Sequence, residues 1–311
     1  MKKANYYFTL CLVLFTTIFS FLNMFQIVKV STNVIQIVLT NLLPSLLPFM
    51  ILISLCLSLG LFEIFSYLIQ FIFSPLFHLT PHMSSLYFVS FFCGYPTNAK
   101  IIKESYELGY INIKQLQHLL SIASFSSLSF IFVSLHLPIN IAFMIYISHI
   151  LPSICKAFWY KQDYQLMNIR ETIYQLKNPH MNFVSALKQS ITSSLTAFIF
   201  ILGYMLVFQF VGYSLETLIH NHFVLSIIQG FLEFSSGSIQ LLQYQHFLVY
   251  PFVSFYLSFS GLSVLMQVDN ILEGIPYSFA CYFKDRFIHG ILSFLLCCAI
   301  QYLTFKKNVI K

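Results

Sequence analysis

An apolar run long enough to enter a membrane breaks at Phe91-Phe92-Cys93-Gly94-Tyr95-Pro96 and restarts as the polar stretch Thr97-Asn98-Ala99-Lys100. Proline has no N–H and its ring collides with the preceding turn, while hydrocarbon offers the freed backbone groups no partner. A break at membrane depth must therefore face protein, water or a ligand. Gly94 suits a left-handed or closely approached backbone position, and Pro96 suits the first turn of the next helix. Thr97 and Asn98 can cap that helix at its positive end, with Lys100 one turn inside, a geometry that suits a small anion. The other use of these residues is a packed kink. Lys100 with Glu104, and Lys103 with Glu107, are also i, i+4 pairs of a solvated helix face.

Composition places the break in a polytopic membrane protein. Of 311 residues, 58% are hydrophobic, 18% aromatic and only 8% charged. The net charge of +6 comes from 16 basic residues scattered between apolar segments, so no basic stripe for nucleic acid is present. These residues read as topology signals: Lys2 and Lys3, then Lys156, Lys161, Arg170 and Lys177, then Lys306, Lys307 and Lys311. All three groups are expected on the cytoplasmic face. The run Tyr6 to Val28 reads as an uncleaved signal anchor of a bacterial membrane protein. Seven cysteines without a Cys-x-x-Cys pair read as reduced, buried thiols. His118, His136, His149, His246 and His289 are too scattered for a metal cluster, and no phosphate-binding loop, nucleophile elbow or nucleophile–base pair is found. Neither a cofactor nor an enzymatic activity is expected.

The organisation follows from one polar interruption, residues 160–182. It separates a signal-anchor span at 1–30 and a hydrophobic half at 31–159 from a second half at 183–305 and a basic tail at 306–311. Spans are expected near 7–28, 33–60, 115–136 and 138–159, with a broken segment at 84–108 and shorter pieces at 62–77 and 84–96 that can be re-entrant. The second half reads as four spans near 189–212, 222–243, 248–272 and 287–305, an even number that returns the tail to the linker's side. The fold class is all-α: a polytopic helical bundle with interrupted or re-entrant helices.

The halves echo one another. Phe92-Cys93-Gly94 resembles Phe259-Ser260-Gly261, and Phe125-Ser126-Ser127-Leu128-Ser129 resembles Phe234-Ser235-Ser236-Gly237-Ser238, although the two echoes come in opposite order. Interrupted segments in both halves point to a transporter whose site lies where the halves meet. Short low-complexity coincidences can produce the same pattern. Glu233 is the most isolated ionisable group inside an expected span, which points to proton coupling or to a carboxylic acid bonded to nearby serines. Ser260, Gly261, Ser263 and Gln267 would line the second break, or serve as small contacts between helices. Asp269, Glu273, Lys284, Asp285 and Arg286 read as a membrane interface.

Asn41-Leu42-Leu43-Pro44-Ser45-Leu46-Leu47-Pro48-Phe49, Ser74-Pro75-Leu76-Phe77, Gly94 through Lys100, and Phe259-Ser260-Gly261-Leu262-Ser263-Val264 through Gln267 resemble the YlbJ family of sporulation integral membrane proteins. That family belongs to the nucleoside-recognition, or Gate, domain class. The resemblance runs in order from about residue 31 to 305 and implies two Gate-type halves. It also implies passage of dipicolinate, a planar aromatic dicarboxylate, across a membrane surrounding the forespore. Ser124-Phe125-Ser126-Ser127-Leu128 stands where family members usually carry asparagines and a proline, and Asp269 is foreign to the pattern.

The expected substrate contacts are Gly94, Tyr95, Pro96, Thr97, Asn98, Lys100, Ser126, Ser127, Glu233, Ser235, Ser236, Ser260, Gly261, Ser263 and Gln267, and the expected partners are a small anion and the lipid bilayer. Halves of two copies can also pair, as a homo-oligomer. The competing reading is a scaffold that transports nothing.

Overall fold

The computed structural model describes residues 2–177, 181–216 and 218–309; residues 178–180 of the linker and the last two residues of the tail lie outside the described residues. The described residues form fifteen α-helices. The first four are α1 (Lys2–Leu22), α2 (Met24–Ile37), α3 (Leu43–Ser58) and α4 (Phe62–Phe77). Then come α5 (Pro81–Cys93), α6 (Thr97–Glu107), α7 (Ile113–Ile122), α8 (Ile139–Trp159) and α9 (Ile169–Lys177). The second half holds α10 (Phe183–Glu216), α11 (His222–Leu232), α12 (Phe234–Leu241), α13 (Val249–Phe259), α14 (Gly261–Ile271) and α15 (Phe279–Val309). Wide π turns at Val38–Leu42 and Phe130–Ser134 complete the helical content.

Four helical stretches are long and apolar enough to cross a membrane alone: Ile139–Trp159, Phe183–Glu216, Val249–Ile271 and Phe279–Thr304. Two bent pairs qualify jointly, Val13–Leu22 with Met24–Leu42 at 105° and Leu46–Ser58 with Phe62–Phe77 at 95°. Large apolar side chains such as Phe143, Ile147, Ile199 and Leu295 stand exposed on the outer surface. In water such a surface would drive association, whereas in lipid it costs nothing.

Two segments expected as simple spans behave differently. The stretch 115–136 is helical only to Ile122, loops through Ala123–Ser127 and resumes as the π turn at Phe130. The stretch 222–243 folds back on itself. A Cβ built on Gly237 would lie 2.3 Å from the Gly230 Cα, whereas residues seven apart along a straight helix are separated by about 10 Å. Helices α11 and α12 are therefore the arms of a re-entrant hairpin with Glu233 at its tip. The same test identifies a second hairpin: Asn98 Nδ2 reaches the Ser90 carbonyl at 3.4 Å, eight residues away, so α5 and α6 fold back around Gly94-Tyr95-Pro96.

The bundle thus repeats one order of elements: a long helix, a hairpin, a broken helix and a long helix. The first unit is α3, α5–α6, α7 with its π turn, and α8, with α4 inserted after α3. The second is α10, α11–α12, α13–α14 and α15; α5–α6 is hairpin 1 and α11–α12 is hairpin 2. Equivalent helices pack on each other, α3 against α10 and α8 against α15. Met50 and Leu46 meet Ala197 in the first pair, and Lys156 pairs with Asp285 at 2.8 Å in the second.

The short echoes in the sequence do not follow this equivalence. Gly94 is a hairpin tip, whereas Gly261 interrupts a broken helix that crosses. The even count of the second half is also corrected. With the hairpin re-entrant, the stretches of the second half long and apolar enough to cross are α10, α13–α14 and α15, and three crossings put the end of α15 on the face opposite the linker.

Candidate functional site

The two hairpin tips and the two broken helices converge. Gly94, at φ +66°, lies so close to α7's break that a Cβ there would sit 2.5 Å from the Ser127 nitrogen. Gly261, at φ +71°, presses on the other tip, 3.0 Å from the Phe234 nitrogen. Both positions need glycine for conformation and for closeness. Tyr95 joins the units: its hydroxyl donates to the Leu257 carbonyl at 2.8 Å, and its ring lies 5.2 Å from that of Phe234. Phe130 contacts the same Phe234 ring at 5.0 Å. The two sets of expected site residues are therefore neighbours across the unit boundary.

At α7 the freed backbone groups are almost all satisfied by protein. Arg286 donates to the carbonyls of Ser124, at 2.7 Å, and Ser121. Ser153 Oγ donates to Ile122, Asn98 Nδ2 donates to Ala123 at 2.7 Å, and the Tyr95 N–H donates to Phe125 at 2.7 Å. The Ser126 N–H donates to His149 Nε2 at 3.1 Å. Six successive residues thus find partners on four other elements, as buried backbone groups must. Buried side-chain atoms around the junction without a hydrogen-bond partner include Thr97 Oγ1, Asn98 Oδ1, Ser126 Oγ, Gln267 Oε1 and Arg286 Nε.

Each expected contact has a definite place. Pro96 caps α6. Ser127 Oγ shares a hydrogen bond with Ser129 at 3.2 Å, and Ser126 presents its hydroxyl beside Tyr95. Ser260 adopts a left-handed conformation, φ 76°, and its hydroxyl bonds the Phe259 carbonyl. Ser263 accepts from Gln267 Nε2 at 3.1 Å. Glu233 caps α12: its carboxylate accepts from the N–H groups of Ser235, at 3.1 Å, and Ser236, at 2.8 Å, and from both serine hydroxyls. A carboxylate at a helix N-terminus with several donors is well accommodated.

Lys100 does not point to the tips as a free cation. Its Nζ bonds Glu104 Oε1 at 2.5 Å and Ser54 on α3, while Ser54 donates to the second oxygen of Glu104 at 2.5 Å. Lys100 and Glu104 line a cavity of about 310 Å³ between α6, α10 and α14, together with Lys103, Glu107 and Asn270.

The residue the sequence reading missed is Arg286. It stands in a run read as a membrane interface, yet it is fully buried, with no carboxylate within ion-pair distance among the described residues. Its neighbour Asp285 is turned to Lys156. Its companions on one face of α15, His289 and Ser293, are buried as well. Polar residues spaced by three and four on an otherwise apolar helix are the signal that could have found it.

A family model described as Gate, nucleoside recognition, matches residues 39–152. No curated protein and no solved structure matches the chain. The matched stretch takes in α3, hairpin 1, the broken α7 and most of α8, which is the first of the two units. A multi-pass helical membrane protein whose first unit is similar to the Gate domain is of the membrane permease kind.

Proposed function

We propose that this chain is a secondary transporter or permease that carries a small polar anion past the junction of its two hairpin tips and two broken helices. The observation that carries this reading is Arg286, a guanidinium with no exposed surface and no carboxylate partner. An unpaired buried charge is costly, and here it is offset by the carbonyls at the negative end of α7 and by the face of Tyr282, 6.0 Å from the guanidinium. An anion arriving at the junction would complete the set, with the unpartnered Thr97 hydroxyl donating a neutral hydrogen bond and Tyr95 an aromatic face. An aromatic dicarboxylate of the dipicolinate type, the solute implied by the sporulation-family resemblance, is the finer form of this reading. The solute is moved unchanged, and the bilayer and the solute are the chain's partners.

The second reading, a scaffold, draws on the near-complete satisfaction of α7's broken backbone by protein side chains, which a purely structural interruption also requires. Uptake by oriented proteoliposomes separates the two. Dipicolinate, other carboxylates and uncharged nucleosides are offered in turn, and the expected result is saturable flux that favours the anions. No flux of any solute by folded protein would leave the scaffold standing.

A further inference from the structure

Between α2, α10 and the arms of hairpin 2 lies a cavity of about 200 Å³ whose lining includes four carboxamides, Asn33, Gln209, Gln229 and Gln240, with Ser236 and Glu216. Among the described residues no lysine or arginine lines it. In so apolar a chain, four amides facing one space are a concentration of paired donors and acceptors. Gln229 is only 7% exposed, and its Oε1 has no hydrogen-bond partner in the structure. Gly212 faces it across the cavity wall, where a Cβ would reach 3.5 Å from the Gln229 Cγ. Gln209 Nε2 bonds Ser236 Oγ, which donates to Glu233 Oε2 at 2.8 Å, so this cavity touches the cap of the hairpin tip through two hydrogen bonds.

We propose that this cavity is a second binding site, for a small uncharged solute that presents a donor and an acceptor side by side, as a carboxamide or lactam edge does. A side-chain amide meets such an edge with two parallel hydrogen bonds. The ligand's donor satisfies Gln229 Oε1, and its acceptor takes an amide hydrogen of Asn33, Gln209 or Gln240. Glu216, with no basic residue to balance it, disfavours anions, so the site selects against the charge type proposed for the transported solute. The site is read by equilibrium binding, so it stands or falls separately from transport.

The test is equilibrium dialysis of the purified full chain in lipid nanodiscs against labelled nicotinamide and uracil, and against their anionic counterparts nicotinate and orotate. The expected result is saturable binding of a neutral probe at least tenfold tighter than its anion. Gln229→Met, near in shape and without the amide, should weaken that binding at least tenfold. Asn33→Leu, at a position exposed on α2, reads the same site should the buried variant fail to fold. Absence of saturable binding by folded wild-type protein overturns the proposal. So does a neutral probe whose affinity survives both substitutions but falls with Asn98→Ala, because it then sits at the hairpin tips.

Discussion

His149 and His289 stack where α8 meets α15, with ring centroids 5.7 Å apart and planes 5° from parallel. Each stands ten residues after the start of its helix, Ile139 and Phe279, so the pair marks equivalent positions of the two units. Their roles have diverged. His149 Nε2 accepts the Ser126 N–H, which leaves the proton on Nδ1, and that atom reaches Ser258 Oγ at 2.8 Å on the broken helix of the other unit. His289 gives its Nε2 hydrogen to the His149 carbonyl at 2.7 Å.

His149→Ala should therefore cost more than His289→Ala. The first leaves a buried backbone N–H without a partner and opens a cavity, about 2–4 kcal/mol together, whereas the second costs about 1–2 kcal/mol. Unfolding of each variant in detergent, followed by tryptophan-independent thiol accessibility at the buried Cys297, measures the difference. Equal losses would mean that the Ser126 bond contributes nothing.

Lys100→Gln should slow uptake of a dianion and of a neutral solute alike, because Glu104 already neutralises the ammonium. It should also cost about 2–3 kcal/mol by leaving Glu104 without its cation, and most of that loss should return in Lys100→Met/Glu104→Met. In contrast, Arg286→Gln, compared with the charge-keeping Arg286→Lys, should reduce uptake of the dianion far more than that of the neutral solute. Selective loss of dianion uptake in the Lys100 variant would return charge sensing to that residue.

Much of this arrangement is written in local sequence. The break at Gly94 and Pro96 is legible because few residues can make it, and Glu233 stands out because a lone acid in an apolar stretch needs a reason. What local pattern could not convey is direction. A glycine break reads the same whether the chain folds back, as at Gly94, or continues across, as at Gly261. The clue to folding back in the second half was Gly230 with Gly237 on either side of Glu233, a pair of small residues that lets two arms touch. Arg286 was hidden by its neighbours Lys284 and Asp285, since a run of charges suggests an interface until the helix face is considered. The partners of α7's carbonyls come from four separate elements, and no local window contains them.

Glu233→Gln should destabilise hairpin 2 by about 1–2 kcal/mol, since its amide brings two hydrogens toward groups that already donate. Gly237→Ala should do so more severely, because the added methyl meets the Gly230 backbone and not a movable side chain. Limited proteolysis between α11 and α12 reads both. Any pH-gradient coupling of uptake should persist in Glu233→Gln protein that remains folded. Loss of coupling at full hairpin protection would instead make Glu233 the proton carrier.

The folded-back hairpin also decides on which face the chain leaves the membrane. Were α11 and α12 two halves of a span that crosses, α10, this span, α13–α14 and α15 would make four crossings and return the tail to the side of the 160–182 linker. The contact between Gly230 and Gly237 removes one crossing, so the tail emerges opposite the linker. The positive-inside rule pulls the other way for Lys306, Lys307 and Lys311, but three lysines weigh less than the geometry of a buried hairpin whose polar tip is satisfied only inside the bundle. A cysteine introduced at Asp163 and another at Lys311, in separate variants of intact right-side-out cells, should differ in reaction with a membrane-impermeant maleimide. The Lys311 position should be labelled from outside and the Asp163 position only after permeabilisation. Labelling of both from the same side would restore the fourth crossing and rule out the hairpin.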